Sequence, residues 1–377
     1  MNREGCGNFT FMAISITGLR IAAAGGLVLL LSGCAGIEYI AQSVSGQWEL
    51  LAKSEPIPRL LENPATPGDL KRKLALSLEI REFASRELAL PYNDSYRYYA
   101  DLKRPYVVWN VVAAPELSLE PREWCFPVVG CVRYRGYFSE AAARDFAAEL
   151  RAEGYDVYVG GVAAYSTLGW FDDPLLNTVI NRSDAGIAAL IFHELAHQQL
   201  YIPGDSAFNE SFATAVEEEG VRRWLESRGD SGEIRNYRHA KQRHLEFLEL
   251  VGKARQRLAQ LYAAPLSADE KRAGKARVFE ELRAEYQVLK ERWGGYAGYD
   301  AWFAQDLNNA KLAAVATYHQ YVPAFRALLQ ELGGDLPAFY RAAREIGDLP
   351  VRQRAERLQA LAARAARIAV RPLTTGS

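Results

Sequence analysis

Histidine is scarce in this chain: five among 377 residues, with four cysteines and two methionines. A chance cluster of imidazoles is therefore improbable, and any regular spacing of them carries weight. An excess of one charge is missing as well. Lys and Arg number 45 against 46 Asp and Glu, and no basic run interrupts the balance, which argues against a nucleic-acid partner. There is no glycine-rich phosphate loop, no internal repeat and no low-complexity tract. The apolar run Ile21 to Leu31 is too short to span a bilayer as a helix.

That run does suit export. Arg20 precedes it, and it ends in Leu31-Ser32-Gly33-Cys34, which looks like a bacterial lipobox. The reading is a signal peptide over residues 1–33, cleavage before Cys34, and lipid on the Cys34 sulfur. A plain signal peptide with a coincidental cysteine is the competing reading. The stretch before Arg20 is long, so either Met1 or Met12 is the true start. Ala35 rather than an acidic residue favours, by resemblance to lipoprotein sorting, an outer-membrane anchor facing the periplasm. Export places Cys125 and Cys131 in an oxidising compartment, where they are expected to close a short loop as a disulfide.

Helical patterns cover Ile37 to Leu51 and Leu70 to Leu90. Tyr106 to Val112 is aromatic and β-branched and reads as a strand, as does Asp156 to Gly161. Ser139 opens a helix to about Glu153. Beyond residue 230 the chain reads as long helices rich in Arg, Glu, Ala and Leu. His239 and His244 fall in a charged stretch there and are expected at the surface.

The chemistry sits between these regions. Ile191-Phe192-His193-Glu194-Leu195-Ala196-His197 reads His-Glu-x-x-His. Positions four apart share a helix face, so His193 and His197 can direct nitrogens at one ion. Glu194 lies about 100° round the helix, near the metal without ligating it, where it can deprotonate a water. Apolar neighbours bury the helix, and an unpaired His or Glu there would be costly. Pro203 and Gly204 then break the helix, Asp205 or Ser206 caps the next one, and that helix runs from Ser206 to about Arg228. A hairpin of the two brings Glu210 over the first helix as the third ligand. Two nitrogens and one carboxylate leave zinc an open position, the catalytic pattern.

Asn209-Glu210-x-Phe212-Ala213-x-x-x-Glu217 resembles the second zinc motif of gluzincin metallopeptidases, with a shorter spacer of twelve residues between His197 and Glu210. The chain resembles more closely a family of aminopeptidases predicted among bacterial lipoproteins. Cys125 to Cys131, Ala164 to Pro174, the zinc helix and Ala316 to Tyr321 carry that likeness. The resemblance implies that Glu217 hydrogen-bonds a ligating His and orients it, while Glu218 and Glu219 are expected in solvent. It implies that Gly169 to Asp173 stands where gluzincins bind substrate backbone along an edge strand. Asp172 or Asp173 would then hold a free α-amino group; the alternative is a loop with Trp170 and Phe171 in the core. It offers Tyr318 as the donor to the oxyanion, with His319 and Tyr321 in reserve.

The expected fold is α+β and predominantly helical, with a small sheet packed on the zinc helix. Residues 34–230 form the zinc-binding lobe and 231–377 a helical lobe closing the cleft. The expected activity is zinc-dependent peptide hydrolysis, most simply by an aminopeptidase with one Zn²⁺ per chain. The alternatives are a zinc endopeptidase on envelope proteins and a lipid-anchored binding factor with a structural metal.

Overall fold

The computed structural model describes Tyr39 and residues 42–126, 130–164, 166–316 and 320–370, apart from the side chains of residues 126, 130, 316 and 365–370. The signal-peptide and Cys34 expectations lie outside these residues. The chain divides at Glu49/Leu50 into two units, and the second carries the elements that follow. Strand β1 (Ser54–Pro56) leads through a short helix to α1 (Gly68–Leu88). Five short strands come next: β2 (Tyr98–Ala100), β3 (Val108–Pro115), β4 (Trp124–Phe126), β5 (Gly130–Val132) and β6 (Arg135–Tyr137). Helix α2 (Glu140–Ala152), β7 (Tyr155–Val162) and β8 (Leu175–Leu176) precede the pair α3 (Asp184–Gln199) and α4 (Ser206–Arg228). Helices α5 (Ser231–Ala263), α6 (Ala268–Arg292), α7 (Asn309–Ala316), α8 (Val322–Glu331), α9 (Leu336–Gly347) and α10 (Val351–Val370) complete the fold. It is α+β and predominantly helical.

The strands form three small sheets. In one, β2 pairs antiparallel with β1 and parallel with β8. In another, β3 lies antiparallel between β6 and β7. Helices α2 and α7 pack on this second sheet. Ala310 of α7 joins Val112 and Ala114 on one face, and period two turns the buried Val111 and Ala113 to the other. The third is the β4–β5 ribbon, where Cys125 lies opposite Cys131 and is joined to it by a disulfide.

The main core gathers round α3. Ile187, Ile191, Phe192 and Leu195 pack with Ile80 and Leu88 of α1, Tyr99 of β2, and Phe208 and Phe212 of α4. Phe325, Phe339 and Leu358 from α8, α9 and α10 enter the same core. Phe212 stacks on Phe339 with centroids 5.6 Å apart. Each fully buried phenylalanine contributes about 1.5–3 kcal/mol. Helix α4 approaches so closely at Gly220 that an added Cβ would meet Leu88 and Phe192 side-chain atoms at 2.7 Å. Helices α5 and α6 build a separate core round Phe247, Leu258, Phe279 and Tyr286. The helices after residue 230 thus divide between two cores.

One buried cation organises the turn between α1 and β2. Arg81 is fully buried, and its guanidinium donates to Ser95 O at 2.9 Å, Pro91 O at 2.6 Å and Asn93 O at 3.0 Å. No carboxylate accepts from it in those bonds; carbonyl oxygens hold the charge. Replacing Arg81 with Met keeps much of the volume but strips one buried and two part-buried carbonyl acceptors of their donor. A loss of about 3 kcal/mol or more is expected, read as a lower midpoint in chemical denaturation.

Candidate metal centre

Local signals build the hairpin that carries the site. Ser183 starts α3 by accepting from Gly186 N–H at 3.0 Å. After Leu200 the chain turns through Gly204 at φ 77°, a conformation that suits glycine. Asp205 caps α4, accepting from Phe208 N–H at 3.0 Å, and its other oxygen holds Arg354 of α10 at 2.6 Å. Asn209 closes the hairpin. Its amide oxygen accepts from Ile202 N–H and its amide nitrogen donates to Ile202 O, both at 2.8 Å.

This clasp sets the next residue, Glu210, over the end of α3. Glu210 Oε2 lies 3.3 Å from His193 Nε2, and Oε1 lies 3.6 Å from His197 Nε2. The two imidazoles stand nearly perpendicular, centroids 4.9 Å apart. One donor atom from each of the three residues falls within 4.8 Å of the others, a set that could hold a metal ion. Glu217, two turns further along α4, meets His193 Nδ1 at 3.1 Å. With the proton on Nδ1 facing Glu217, the Nε2 lone pair faces a carboxylate oxygen. A proton on Nε2 would let His193 donate to Glu210 instead; without it, the three donors turn toward one point, and the set fits a metal ion.

The electrostatics show how strongly these groups act on one another. Burial opposes charge on His193, but its hydrogen bonds with Glu210 and Glu217 outweigh it and raise the pKa to about 10. Burial and the neighbouring His193 hold His197 down at about 4. Burial pushes Glu194 up to about 7, with His193 opposing the rise and Glu210 and Asp173 adding to it.

A cavity of about 440 Å³ opens beside the three donors, lined by His193, Glu210, Glu217, Tyr237, Lys241 and His244, with Thr214 and Ala240. Lys241 reaches Glu218 at 2.8 Å and Glu217 at 3.6 Å. Arg326 reaches Glu218 from the other side at 2.5 Å. Glu218 and Glu219, expected in solvent, are therefore ion-paired and largely covered; Arg222 and Arg223 hold Glu219 at 2.7 Å. His239 is exposed. His244 is not a surface residue: it is half-buried, bonds Tyr299 at 3.2 Å and lines the cavity.

The segment expected to offer an edge strand is a turn. Leu168 and Gly169 both have positive φ, and Trp170 N–H donates to Thr167 O at 3.1 Å. Trp170 and Phe171 are 81 % and 47 % exposed, not core. Asp173 is buried, its carboxylate accepting from Thr167 N–H at 2.9 Å and facing Ser166 Oγ at 3.4 Å, while Asp172 is exposed. Gly169 lies beside the Gln198 side chain. Tyr318 and His319 lie outside the described residues; Tyr321 N–H donates to Ser211 Oγ at 3.1 Å. Asn209 and Lys241 were not read as site residues. Asn209 stood inside the Asn-Glu motif, a usable signal. Lys241 is 24 residues from Glu217 and had none.

Fold and site together define an α+β protein with a two-histidine, one-carboxylate candidate metal centre. A family model described as "Putative aminopeptidase" matches residues 38–358, and the chain belongs to that family. No curated protein and no solved structure matches it.

Asn209→Ala removes both ends of the clasp and leaves every candidate ligand in place. Metal affinity should fall about 10- to 100-fold, as for loss of a group that orients a ligand. Chelator competition would measure it, with unchanged helical circular dichroism as the control.

Proposed function

We propose that the protein is a zinc-dependent aminopeptidase of the bacterial envelope, anchored by lipid on Cys34. The observation that carries this reading is the convergence of His193, His197 and Glu210 beside buried Glu194, in a chain of an aminopeptidase family. Two imidazoles and one carboxylate suit zinc and leave room for substrate. When bound there, zinc supplies Lewis acidity toward the peptide carbonyl and an attacking water.

The chain's own residues do the rest. Glu194 takes a proton from the water as its oxygen bonds to the carbonyl carbon. It then gives a proton to the departing amine as the C–N bond breaks. Glu217 fixes the tautomer and orientation of His193. Tyr318 is the donor the family resemblance offers to the oxyanion. Asp172, exposed at its loop, is free to meet an α-amino group; Asp173 is engaged with Thr167 and Ser166. A disulfide between Cys125 and Cys131 suits the oxidising compartment that the export signal calls for.

The test joins metal analysis to hydrolysis of one peptide in free and N-acetylated forms. One zinc per chain and cleavage of the free form alone is the expected result. Glu194→Gln should keep its zinc and lose about 10²- to 10⁴-fold in kcat. Cleavage of both forms would make it an endopeptidase. Zinc without cleavage would favour a binding factor, and absence of zinc would overturn the reading.

A further inference from the structure

The cavity beside the candidate ligands is a groove between two helices. Glu210, Thr214 and Glu217 line it from α4, and their spacing of four and three residues puts them on one face. Tyr237, Ala240, Lys241 and His244 line it from α5 with the same helical spacing. His193 and Glu210, two of the three candidate ligands, stand in its wall. Whatever occupies the groove therefore lies against the centre. Its volume of about 440 Å³ falls in the range of small-molecule sites, about 300–1,000 Å³.

The polar residues of α5 keep their polar atoms engaged elsewhere. The Tyr237 hydroxyl is fully covered, so this residue offers the groove its ring. Lys241 directs its ammonium to Glu218 at 2.8 Å and toward Glu217 at 3.6 Å, which leaves its methylene stem along the wall. His244 turns Nδ1 to the Tyr299 hydroxyl at 3.2 Å. Tyr237 and His244 are two turns apart on α5, about 10.5 Å of helical rise. Between them stands Ala240, exposed and carrying only a methyl group, and Thr214 lines the α4 side with another small side chain.

The charges in the walls are balanced among themselves. Glu217 is shared between His193 and Lys241, and Glu218 between Lys241 and Arg326. A charged side chain entering the groove would have to displace one of these partners. An uncharged polar one would meet ring and methylene surface. A bulky apolar side chain meets neither obstacle and leaves water on entering.

We infer that the α4–α5 groove is a specificity pocket for a bulky apolar side chain, aromatic or leucine-like, next to the scissile peptide bond. This rests on the metallopeptidase reading above and names the substrate class of that site. Ala240 sets the width of the pocket, and the rings of Tyr237 and His244 flank it.

The test is Ala240→Phe in the full chain, assayed on peptides with Phe, Leu, Ala, Asp or Lys on either side of the cleaved bond. Because Ala240 is exposed, the larger residue fills the groove without entering the core. Wild type should prefer Phe and Leu to Ala at one of these positions by about tenfold or more in kcat/KM, and should disfavour Asp and Lys there. Ala240→Phe should lower the Phe-to-Ala ratio by about 10- to 200-fold, with Ala240→Leu intermediate. Zinc content should match that of the wild type. Calorimetry with a phosphinic peptide carrying Phe or Ala at that position should show the same loss of preference, which separates binding from turnover. An active wild type that prefers Asp or Lys, or has no side-chain preference, overturns this inference alone. So does a Phe-to-Ala ratio that Ala240→Phe leaves unchanged. A wild type without zinc or hydrolysis overturns the metallopeptidase reading, and this inference with it.

Discussion

A carboxylate on one helix is pressed against two imidazoles on another, beside the apolar faces by which the two helices enter the main core. Burial of Glu194, Glu210 and Glu217 near one another is unfavourable unless positive charge is shared among them. His193 supplies part of it, standing between Glu210 and Glu217, and the donor set leaves room for a cation. The rest of the fold keeps this arrangement from relaxing. Gly220 lets α4 lie close to α1 and α3. Asn209 ties the hairpin turn to itself, and Arg354 ties it to α10. Phe208 and Phe212, on the same helix as Glu210, are locked by Phe325 and Phe339. A site that opposes its own charges needs a rigid frame, and aromatic packing provides one.

What could be read from the sequence was local. His193 and His197 share a face because of helical spacing, and Asp205 caps α4 because a carboxylate before a helix does so. Glu217 follows Glu210 at two turns. These relations survive translation into three dimensions because the helix itself fixes them. Glu218 and Glu219 were misread for the converse reason. Three acidic residues in a row look like a solvated face, yet the partners that cover Glu218, Lys241 and Arg326, belong to other helices. His244 shared that fate: its charged neighbours suggest a surface, while Tyr299 and the cavity give it its place.

The turn at 167–171 was hidden differently. Nothing in Thr-Leu-Gly-Trp-Phe forbids an extended strand, and the left-handed Leu168 is set by Asp173 drawing Thr167 back on itself. Tyr96 has the same character. Its left-handed backbone follows from Arg81, Gln198 and Asp173, which hold Ser95 and Tyr96 from 15 to 102 positions away, and a tyrosine-rich stretch gave no sign of it.

The charge relay beyond the centre follows from these placements. Lys241 bonds Glu218 and approaches Glu217, while Glu217 holds His193. Helix α5 therefore acts on a candidate ligand through one carboxylate. The two oxygens of Glu217 face opposite partners, an ammonium on one side and an imidazole N–H on the other. A lysine that draws on this carboxylate limits how strongly Glu217 can polarise His193, and with it how much electron density the imidazole offers a metal. Helix α5 thus takes part in the centre without adding to its three candidate ligands: it lines the cavity and sets the strength of the group behind His193.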